Sequence, residues 1–104
     1  MVYFVGAGPG AADLITVRGM RLLEQADVVI YAGSLVNPEL LSYCKKECEI
    51  HNSAYMTLEE VLAVMEEAEK QKLTTVRLHT GEPSIYGAVR EQMDLLDEKG
   101  ILYE

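Results

Sequence analysis

Short apolar segments alternate with amphipathic segments along the whole chain, and this alternation constrains the fold more than any other feature of the sequence. We predict strands at residues 2–5, 28–31, 49–51, 74–79 and 101–103, and helices at about residues 16–25, 38–43, 58–70 and 83–99. Strands that alternate with helices form a parallel sheet, because each helix carries the chain back across the sheet before the next strand. We therefore expect an α/β fold with a five-stranded, mainly parallel sheet and helices on both faces.

The ends of the predicted helices carry residues that satisfy free backbone groups. Thr16 is a suitable N-cap for the first helix, and the Asn37-Pro38 pair favours a helix start. Thr57 and Glu60 have the spacing of a capping box, in which each side chain accepts a hydrogen bond from the other residue's amide. Gly100 follows the last helix, where a residue in the left-handed conformation ends many helices.

Three of the predicted helices have an apolar stripe with helical spacing, and we expect these stripes to pack against the sheet. They comprise Val17, Met20 and Leu23; Leu58, Val61, Leu62, Met65 and Ala68; and Ile85, Val89, Met93 and Leu96. On the outer face of the last helix, Arg90 and Asp94 are four positions apart, so we expect them to pair.

The chain has 17 acidic and 9 basic residues, and its formal net charge is −8. Such a charge repels a phosphate backbone, so we exclude nucleic acid as a partner. No apolar run approaches the ~18 residues needed to cross a membrane, so we expect a soluble protein with no membrane partner. Most of the acid falls in two predicted helices, where solvated faces are expected: Glu59, Glu60, Glu66, Glu67 and Glu69, and Glu91, Asp94, Asp97 and Glu98.

Cys44 and Cys48 are the two cysteines of the chain. Their C-x3-C spacing lacks the second ligand pair of a zinc site, and His51 is the one further ligand nearby, so we predict no metal site. Two free thiols in an acidic α/β chain favour a reducing compartment, and we expect the protein in the cytoplasm. His51 itself is expected at the surface.

Two loops of unusual composition follow the first and fourth predicted strands. They are residues 6–10 (GAGPG) and residues 80–83 (TGEP). Glycine allows a ligand to approach the backbone closely, and ligands of open parallel sheets bind beyond the carboxyl ends of the strands. We therefore predict that the first and fourth strands are neighbours and that the two loops border one binding site.

The first loop does not match the phosphate-binding loop of a dinucleotide or nucleoside triphosphate site. It lacks the third glycine of the dinucleotide fingerprint, and Pro9 has no amide to donate. The second strand ends at Tyr31 without a following carboxylate for a ribose hydroxyl, and the chain has no Walker motif. The carbonyl groups of proline and glycine suit a ligand without phosphates, with adenine, ribose hydroxyl or ammonium groups.

Four motifs follow one another in the chain: VGAGPG at residues 5–10, DLITVRG at 13–19, ADVVIY at 26–31 and HTGEPSIYG at 79–87. With this ordered set, the whole chain resembles the N-terminal domain of the tetrapyrrole (corrin/porphyrin) methylase family. Residues 31–36 and 77–83 are most similar to those of family members that methylate ring carbon 11 of precorrin-4 or cobalt-precorrin-4. The resemblance implies methyl transfer from S-adenosyl-L-methionine in cobalamin biosynthesis, with S-adenosyl-L-homocysteine as the product.

The resemblance also implies the organisation of the protein. Family members have two α/β domains, pair as homodimers and bind the donor between the domains, so residues 1–104 are expected to be the N-terminal domain, without the C-terminal domain and inactive alone. The implied strand order is 3-2-4-1-5. By matching motif, the implied donor contacts are Pro9, Thr80, Gly81, Glu82 and Ile85, while Gly8, Gly10 and His79 are assigned to the tetrapyrrole substrate.

Two positions depart from the family pattern. Glu82 stands where the family usually has aspartate, and Ala32 stands where uroporphyrinogen-methylating relatives carry an acid proposed as a base. We therefore assign no catalytic residue. The alternative activities are those of a sibling corrin or porphyrin methylase or of diphthine synthase, and the alternative from another class is a non-enzymatic nucleotide-binding or assembly domain.

Several further residues have both a structural and a functional interpretation. Arg18 and Arg77 suit the carboxylates of a macrocycle, but arginines more often pair with acids of their own chain. Tyr31 and Tyr86 are expected to pack in the protein rather than stack on a ligand. Four apolar residues that look exposed are expected to contribute to a homodimer or interdomain contact: Leu35, Val36, Leu40 and Leu41.

Overall fold

Strands and helices alternate in the computed structural model, which describes residues 1–6, 16–31, 38–79 and 86–104. Within these ranges the strands are β1 (Val2–Gly6), β2 (Val28–Tyr31), β3 (Glu49–Asn52) and β4 (Thr75–His79). The α-helices are α1 (Val17–Gln25), α2 (Leu58–Lys70) and α3 (Tyr86–Lys99), and 3-10 helices cover Pro38–Tyr43 and Ser53–Tyr55. The α/β class predicted from the sequence is confirmed, and none of the described helices is both long and apolar enough to cross a membrane.

The sheet has the strand order β3-β2-β4-β1, and every neighbouring pair is parallel. Val2 of β1 and Val28 of β2 both pair with Thr75 of β4, so the central strand begins level with its neighbours. The first and fourth strands are therefore adjacent, as predicted.

The described part of the sheet has four strands rather than the predicted five. Residues 102–104 run along β1, where the Val2 amide donates to the Leu102 carbonyl at 3.1 Å and the Phe4 amide donates to the Glu104 carbonyl at 2.8 Å. The segment makes a single bridge, Val2 with Tyr103. One bridge is too short for a strand ladder, although it lies on the side of β1 that the predicted order gives to the fifth strand.

Helices cover both faces of the sheet, and an apolar cluster fills each face. On one face, strand residues pack against residues of α1, its C-cap and the first 3-10 helix, and the cluster consists of Val5, Leu23, Ala26, Val29, Leu40, Val76 and Leu78. On the other face, the cluster lies under α2 and α3: Val2, Val28, Ile30, Val61, Leu62, Met65, Ala68, Leu96 and Ile101. Successive residues of a strand point to opposite faces of the sheet, so β1 and β2, which contribute to both clusters, consist almost entirely of apolar residues.

Two details of the predicted packing are wrong. Val17 is 60% exposed, because α1 meets the sheet through Gly19 and Leu23, four positions apart, rather than through a stripe that begins at its first residue. Leu40 is fully buried in the first cluster and Leu41 is half-buried, so the first 3-10 helix uses its apolar side chains within the domain. The other two residues of the predicted association surface lie outside the described residues.

The capping predictions are confirmed wherever the structure describes them. The Thr16 hydroxyl accepts a hydrogen bond from the Gly19 amide at 3.0 Å, and Thr57 and Glu60 form both bonds of the capping box, each 3.1 Å long. Gly100 has a φ of +71°. Its amide and that of the next residue bond back to α3 carbonyls, which closes the helix end.

The acidic helix faces are solvated as predicted, and ion pairs hold several of their carboxylates. Arg90 Nε lies 3.2 Å from Asp94 Oδ1 on the outside of α3. Lys99 Nζ lies 3.3 Å from Glu66 Oε2 and so links α3 to α2.

Candidate functional site

Three neighbouring strands, β1, β4 and β2, end at nearly the same level, at the carboxyl end of the sheet. Gly6 at the end of β1 pairs directly with His79 at the end of β4, and Tyr31 at the end of β2 pairs with Leu78. The strands are parallel, so their carboxyl ends face the same way. Neighbouring strands lie about 4.8 Å apart, so Gly6 and His79, the residues that precede the two predicted loops, lie side by side. β1 and β4 are therefore neighbours, as a binding site bordered by both loops requires.

Of the residues predicted to bind ligands, the structure describes His79, which is half-buried at the carboxyl end of β4. The others lie outside the described residues, and their roles stay predictions: Gly8, Pro9, Gly10, Thr80, Gly81, Glu82 and Ile85. The same holds for Ala32. At Gly6, a Cβ atom would meet no atom of the described residues within 4 Å.

An open groove of about 450 Å³ lies beside His79, between the end of β1 and α3. Its lining is largely apolar and consists of Phe4, His79, Val89, Arg90, Met93 and Glu104. An edge-to-face contact with Tyr103, with ring centroids 6.0 Å apart, orients the Phe4 ring. The apolar wall suits a flat apolar ligand, and the polar groups at its border are the His79 imidazole, the Arg90 guanidinium, which pairs with Asp94, and the Glu104 carboxylate.

Arg18 is held by an acid of its own chain. Its Nη2 lies 3.2 Å from Glu104 Oε1, and both side chains are more than half exposed. The pair borders a second, smaller groove along β1 that reaches Gly6. The structural interpretation of Arg18 is therefore confirmed.

Arg77 is buried instead of pairing with an acid, and among the described residues all its partners are neutral. Its Nε donates to Gln92 Oε1 at 3.1 Å, and its Nη1 donates to the carbonyls of Ile30 at 3.2 Å and Leu78 at 3.3 Å. Its Nη2 donates to Ser53 Oγ at 3.1 Å. Burial lowers the pKa of Arg77 to about 10, so the side chain stays charged at neutral pH. The sequence signal was an arginine between the apolar residues Val76 and Leu78 of a predicted strand.

At the opposite, amino end of the strands, a cavity of about 500 Å³ lies beneath α2. Its polar lining includes Asp27, Glu49 and His51. His51 is half-buried and not at the surface as predicted, because its pairing with Ile30 turns it toward α2. Its Nε2 lies 3.1 Å from Glu49 Oε2 without hydrogen-bond alignment. Among the described residues, no group of three His, Cys, Asp or Glu side chains is placed to hold a metal ion.

Both cysteines are free thiols, as predicted, and both are half-buried against the first apolar cluster. Burial raises the pKa of Cys44, and burial together with the neighbouring Cys44 raises the pKa of Cys48 to about 12. Thiols with raised pKa values are poor nucleophiles at neutral pH. Their position against the first apolar cluster therefore fits a packing role.

Comparison with known sequences gives a consistent result. The sequence model of the family described as Tetrapyrrole (Corrin/Porphyrin) Methylases matches residues 1–104. The chain is 59% identical over 100 residues to a cobalt-precorrin-4 C(11)-methyltransferase of Methanocaldococcus jannaschii, which covers 96% of the chain and 39% of that relative. It is 47% identical over 103 residues to a precorrin-4 C(11)-methyltransferase of Rhodococcus erythropolis, covering 99% of the chain and 41% of that relative. The chain thus spans about two fifths of the length of these relatives.

Solved structures agree with the sequences. The fold matches a crystal structure of a cobalt precorrin-4 methyltransferase with a TM-score of 0.92 and 48% identity, over 99% of this chain and 43% of that one. It also matches a uroporphyrin-III C-methyltransferase of Thermus thermophilus in complex with S-adenosyl homocysteine, with a TM-score of 0.77 and 32% identity, over 99% of this chain and 42% of that one. Taken with the paired ends of β1 and β4, these matches show that the chain belongs to the tetrapyrrole (corrin/porphyrin) methylase family.

Proposed function

We propose that this chain is the N-terminal domain of a methyltransferase that transfers a methyl group from S-adenosyl-L-methionine to ring carbon 11 of precorrin-4 or cobalt-precorrin-4. The observation that carries the proposal is the 59% identity, over 96% of this chain, to a relative of that name. The whole protein then contains a second α/β domain, acts in cobalamin biosynthesis in the cytoplasm and forms a homodimer.

The proposed donor site lies beyond the carboxyl ends of β1 and β4. Pro9 follows β1, and Thr80, Gly81 and Glu82 follow β4, so the pairing of Gly6 with His79 supports bringing the two groups together. No atom of the described residues lies within 4 Å of a Cβ placed at Gly6, which supports close approach of a ligand to the backbone there. A related structure that contains S-adenosyl homocysteine supports the choice of ligand. Ile85, at the start of the helical region after β4, completes the proposed donor contacts.

The chemistry follows from the donor. When bound, S-adenosyl-L-methionine supplies a methyl group that is already activated by its sulfonium, so an electron-rich ring carbon can attack without a metal ion. The work of the protein is then to align donor and acceptor, which contributes up to ~7–11 kcal/mol in favourable cases. The apolar groove beside His79 supports exclusion of water from the reacting atoms. No residue of this chain is assigned as the base that accepts the ring proton.

The tetrapyrrole substrate is placed beside the donor by Gly8, Gly10 and His79. A formal net charge of −8 disfavours a substrate with many carboxylates unless the site is locally basic. His79 and Arg90 line the same groove, and the Arg90 side chain is 69% exposed. Asp94 pairs with Arg90, and Glu104 also lines this groove, so the described residues offer an exposed guanidinium for a carboxylate but no net positive surface.

A second activity has support of its own. The chain is 42% identical, over its whole length, to the uroporphyrinogen-III C-methyltransferase of Bacillus subtilis. Family membership alone therefore leaves the ring carbon open. The higher identity to the carbon-11 enzymes favours precorrin-4 or its cobalt form, and diphthine synthase shares the architecture.

Two measurements on the full-length protein test the proposal. Calorimetric titration with S-adenosyl-L-homocysteine is expected to show binding, and titration with a nicotinamide dinucleotide is expected to show none. Turnover is then measured with precorrin-4, cobalt-precorrin-4 and uroporphyrinogen III, with detection of the methylated product by mass spectrometry. Methylation of uroporphyrinogen III alone would move the assignment to the sibling enzyme. Failure to bind S-adenosyl-L-homocysteine would favour the non-enzymatic alternative.

A further inference from the structure

The buried guanidinium of Arg77 joins four separate parts of the fold. It bonds to Gln92 on α3, to the Ile30 carbonyl on β2, to the Leu78 carbonyl on β4 and to Ser53 at the start of the second 3-10 helix. Arginine has five N–H donors in a rigid planar fork, so one side chain can set several directions at once. Arg77 is 7% exposed, so water does not loosen this arrangement.

These bonds are concentrated at the carboxyl ends of β2 and β4. Ile30 is the residue before the last of β2, and Leu78 is the residue before the last of β4. The Ser53 hydroxyl, which accepts from Arg77, itself donates to the carbonyl of Tyr31 at 2.9 Å. The network therefore holds the last two residues of β2 and the end of β4, from which the chain continues into residues 32–37 and 80–85.

A purely stabilising role is a poor explanation for this arginine. Taking a guanidinium out of water is costly, and an apolar side chain of similar volume often fills such a position with equal or better stability. Among the described residues, no carboxylate forms an ion pair with Arg77 to offset that cost. What an apolar residue cannot supply is the set of directed bonds to two strand ends.

We propose that Arg77 is a positioning residue for the donor site: its hydrogen bonds set the spacing and direction of the ends of β2 and β4, and thereby the placement of the donor-binding residues that follow β4. This inference rests on the proposed function, because it needs a donor bound beyond β4. It assigns Arg77 no contact with donor or substrate.

The test compares two buried substitutions on the same strand and the same face of the sheet. Arg77→Met removes the fork at the carboxyl end of β4, whereas Thr75→Val replaces a polar side chain that is 1% exposed at the amino end. Both are made in the full-length protein, with the melting temperature and the Kd for S-adenosyl-L-homocysteine measured for each. Arg77→Met is expected to weaken binding by about 10-fold to 100-fold, the order of loss that follows a small misplacement of binding groups. Thr75→Val is expected to leave the Kd unchanged, whether or not the melting temperature shifts.

Two milder variants extend the test. Arg77→Lys keeps the charge but not the fork, and it is expected to bind the donor with intermediate affinity. Ser53→Ala removes the link to the Tyr31 carbonyl, and it is expected to weaken binding by a few-fold with little change in melting temperature. If Arg77→Met does not fold, Ser53→Ala decides the question by the same criterion.

The outcomes separate this inference from the proposed function. Loss of affinity in folded Arg77→Met or Ser53→Ala, with Thr75→Val unaffected, supports the inference. Unchanged affinity in those folded variants would overturn it and leave the proposed function intact. Absence of S-adenosyl-L-homocysteine binding by the unmodified protein would overturn both.

Discussion

The two ends of β2 are each tied to β4 by a charged side chain, but in different ways. At the amino end, Asp27 accepts hydrogen bonds from the Thr74 amide at 2.9 Å and from Lys45 Nζ at 2.6 Å. At the carboxyl end, Arg77 donates to the Ile30 carbonyl at 3.2 Å. Asp27 has a cationic partner and a side chain that is 30% exposed, whereas Arg77 is buried among neutral partners.

This difference indicates that Asp27 stabilises the fold, whereas Arg77 also positions the ends of the strands. The hydrogen bonds that Asp27 accepts from the Thr74 amide and from Lys45 account for its presence at the start of β2. A buried cation without a described counter-charge costs solvation, and Arg77 lies near the end of β4, just before the proposed donor contacts in the sequence. We therefore expect changes at the amino end to alter stability alone, and changes at the carboxyl end to alter ligand binding as well.

The largest effect is expected when the proposed second domain, which would form the other wall of the donor site, is absent. The isolated 104-residue chain is expected to show no turnover and to bind S-adenosyl-L-homocysteine weakly, because a one-walled site cannot enclose a ligand. Turnover and calorimetric binding are compared with those of the full-length protein, and circular dichroism verifies that the isolated chain is folded. Turnover by the folded, isolated chain would contradict the placement of the donor between two domains.

The next effect concerns the backbone after β4. In the full-length protein, Gly81→Val is expected to weaken donor binding on the order of 100-fold, because a branched side chain fills the space where the ligand meets the backbone. Ala63→Val adds the same branching to an exposed position on α2 and serves as the control. Unchanged affinity in a Gly81→Val protein with a normal melting temperature would show that the site lies elsewhere.

A smaller effect is expected at the amino end of β2. Asp27→Asn is expected to lower the free energy of unfolding by about 1.5 kcal/mol at neutral pH, because hydrogen bonds to a charged carboxylate are lost. Donor affinity should not change. Urea denaturation and calorimetry measure the two quantities, and a loss of affinity in this variant would break the distinction between the two ends.

The same residue predicts a pH dependence. The hydrogen bond from Lys45 and that from the Thr74 amide lower the pKa of Asp27 below its ordinary value of 3.8. The carboxylate therefore contributes stability above pH 3.8, and this contribution is lost as the pH falls through the lower pKa of the folded protein. The stability difference between the unmodified protein and Asp27→Asn is expected to shrink in that acid range. A difference that stays constant there would contradict the ion pair.

The smallest effect is expected far from both ends, at the start of α2. Thr57→Ala removes one half of the capping box and is expected to cost about 1 kcal/mol of stability. Thr57→Ser keeps the hydroxyl and is the control. Equal stability of the two variants would mean that the cap contributes nothing, and either way donor binding is expected to stay the same.

Sequence reasoning succeeded where the partners are close in the chain. Thr57 and Glu60 are three residues apart, and Gly100 acts on the turn just before it, so their roles were predictable from spacing. The exposed Val17 and the buried Leu40 were not, because each depends on which side of its helix meets the sheet. For the candidate site, the paired strand ends were predicted, while the network around Arg77 was missed.

The sequence by itself therefore determined the alternation of strands and helices, the helix caps and the two glycine loops that mark one edge of the sheet. The tertiary structure decided the rest: that His51 turns under α2, that residues 102–104 make one bridge, and that Arg77 lies in the core. Three of the four partners of Arg77 are distant in the chain: Gln92 is 15 residues away, Ser53 is 24 and Ile30 is 47. Hydrogen bonds over such separations exist only once strand order and register have brought the donors and acceptors together, and no local pattern in the sequence encodes them.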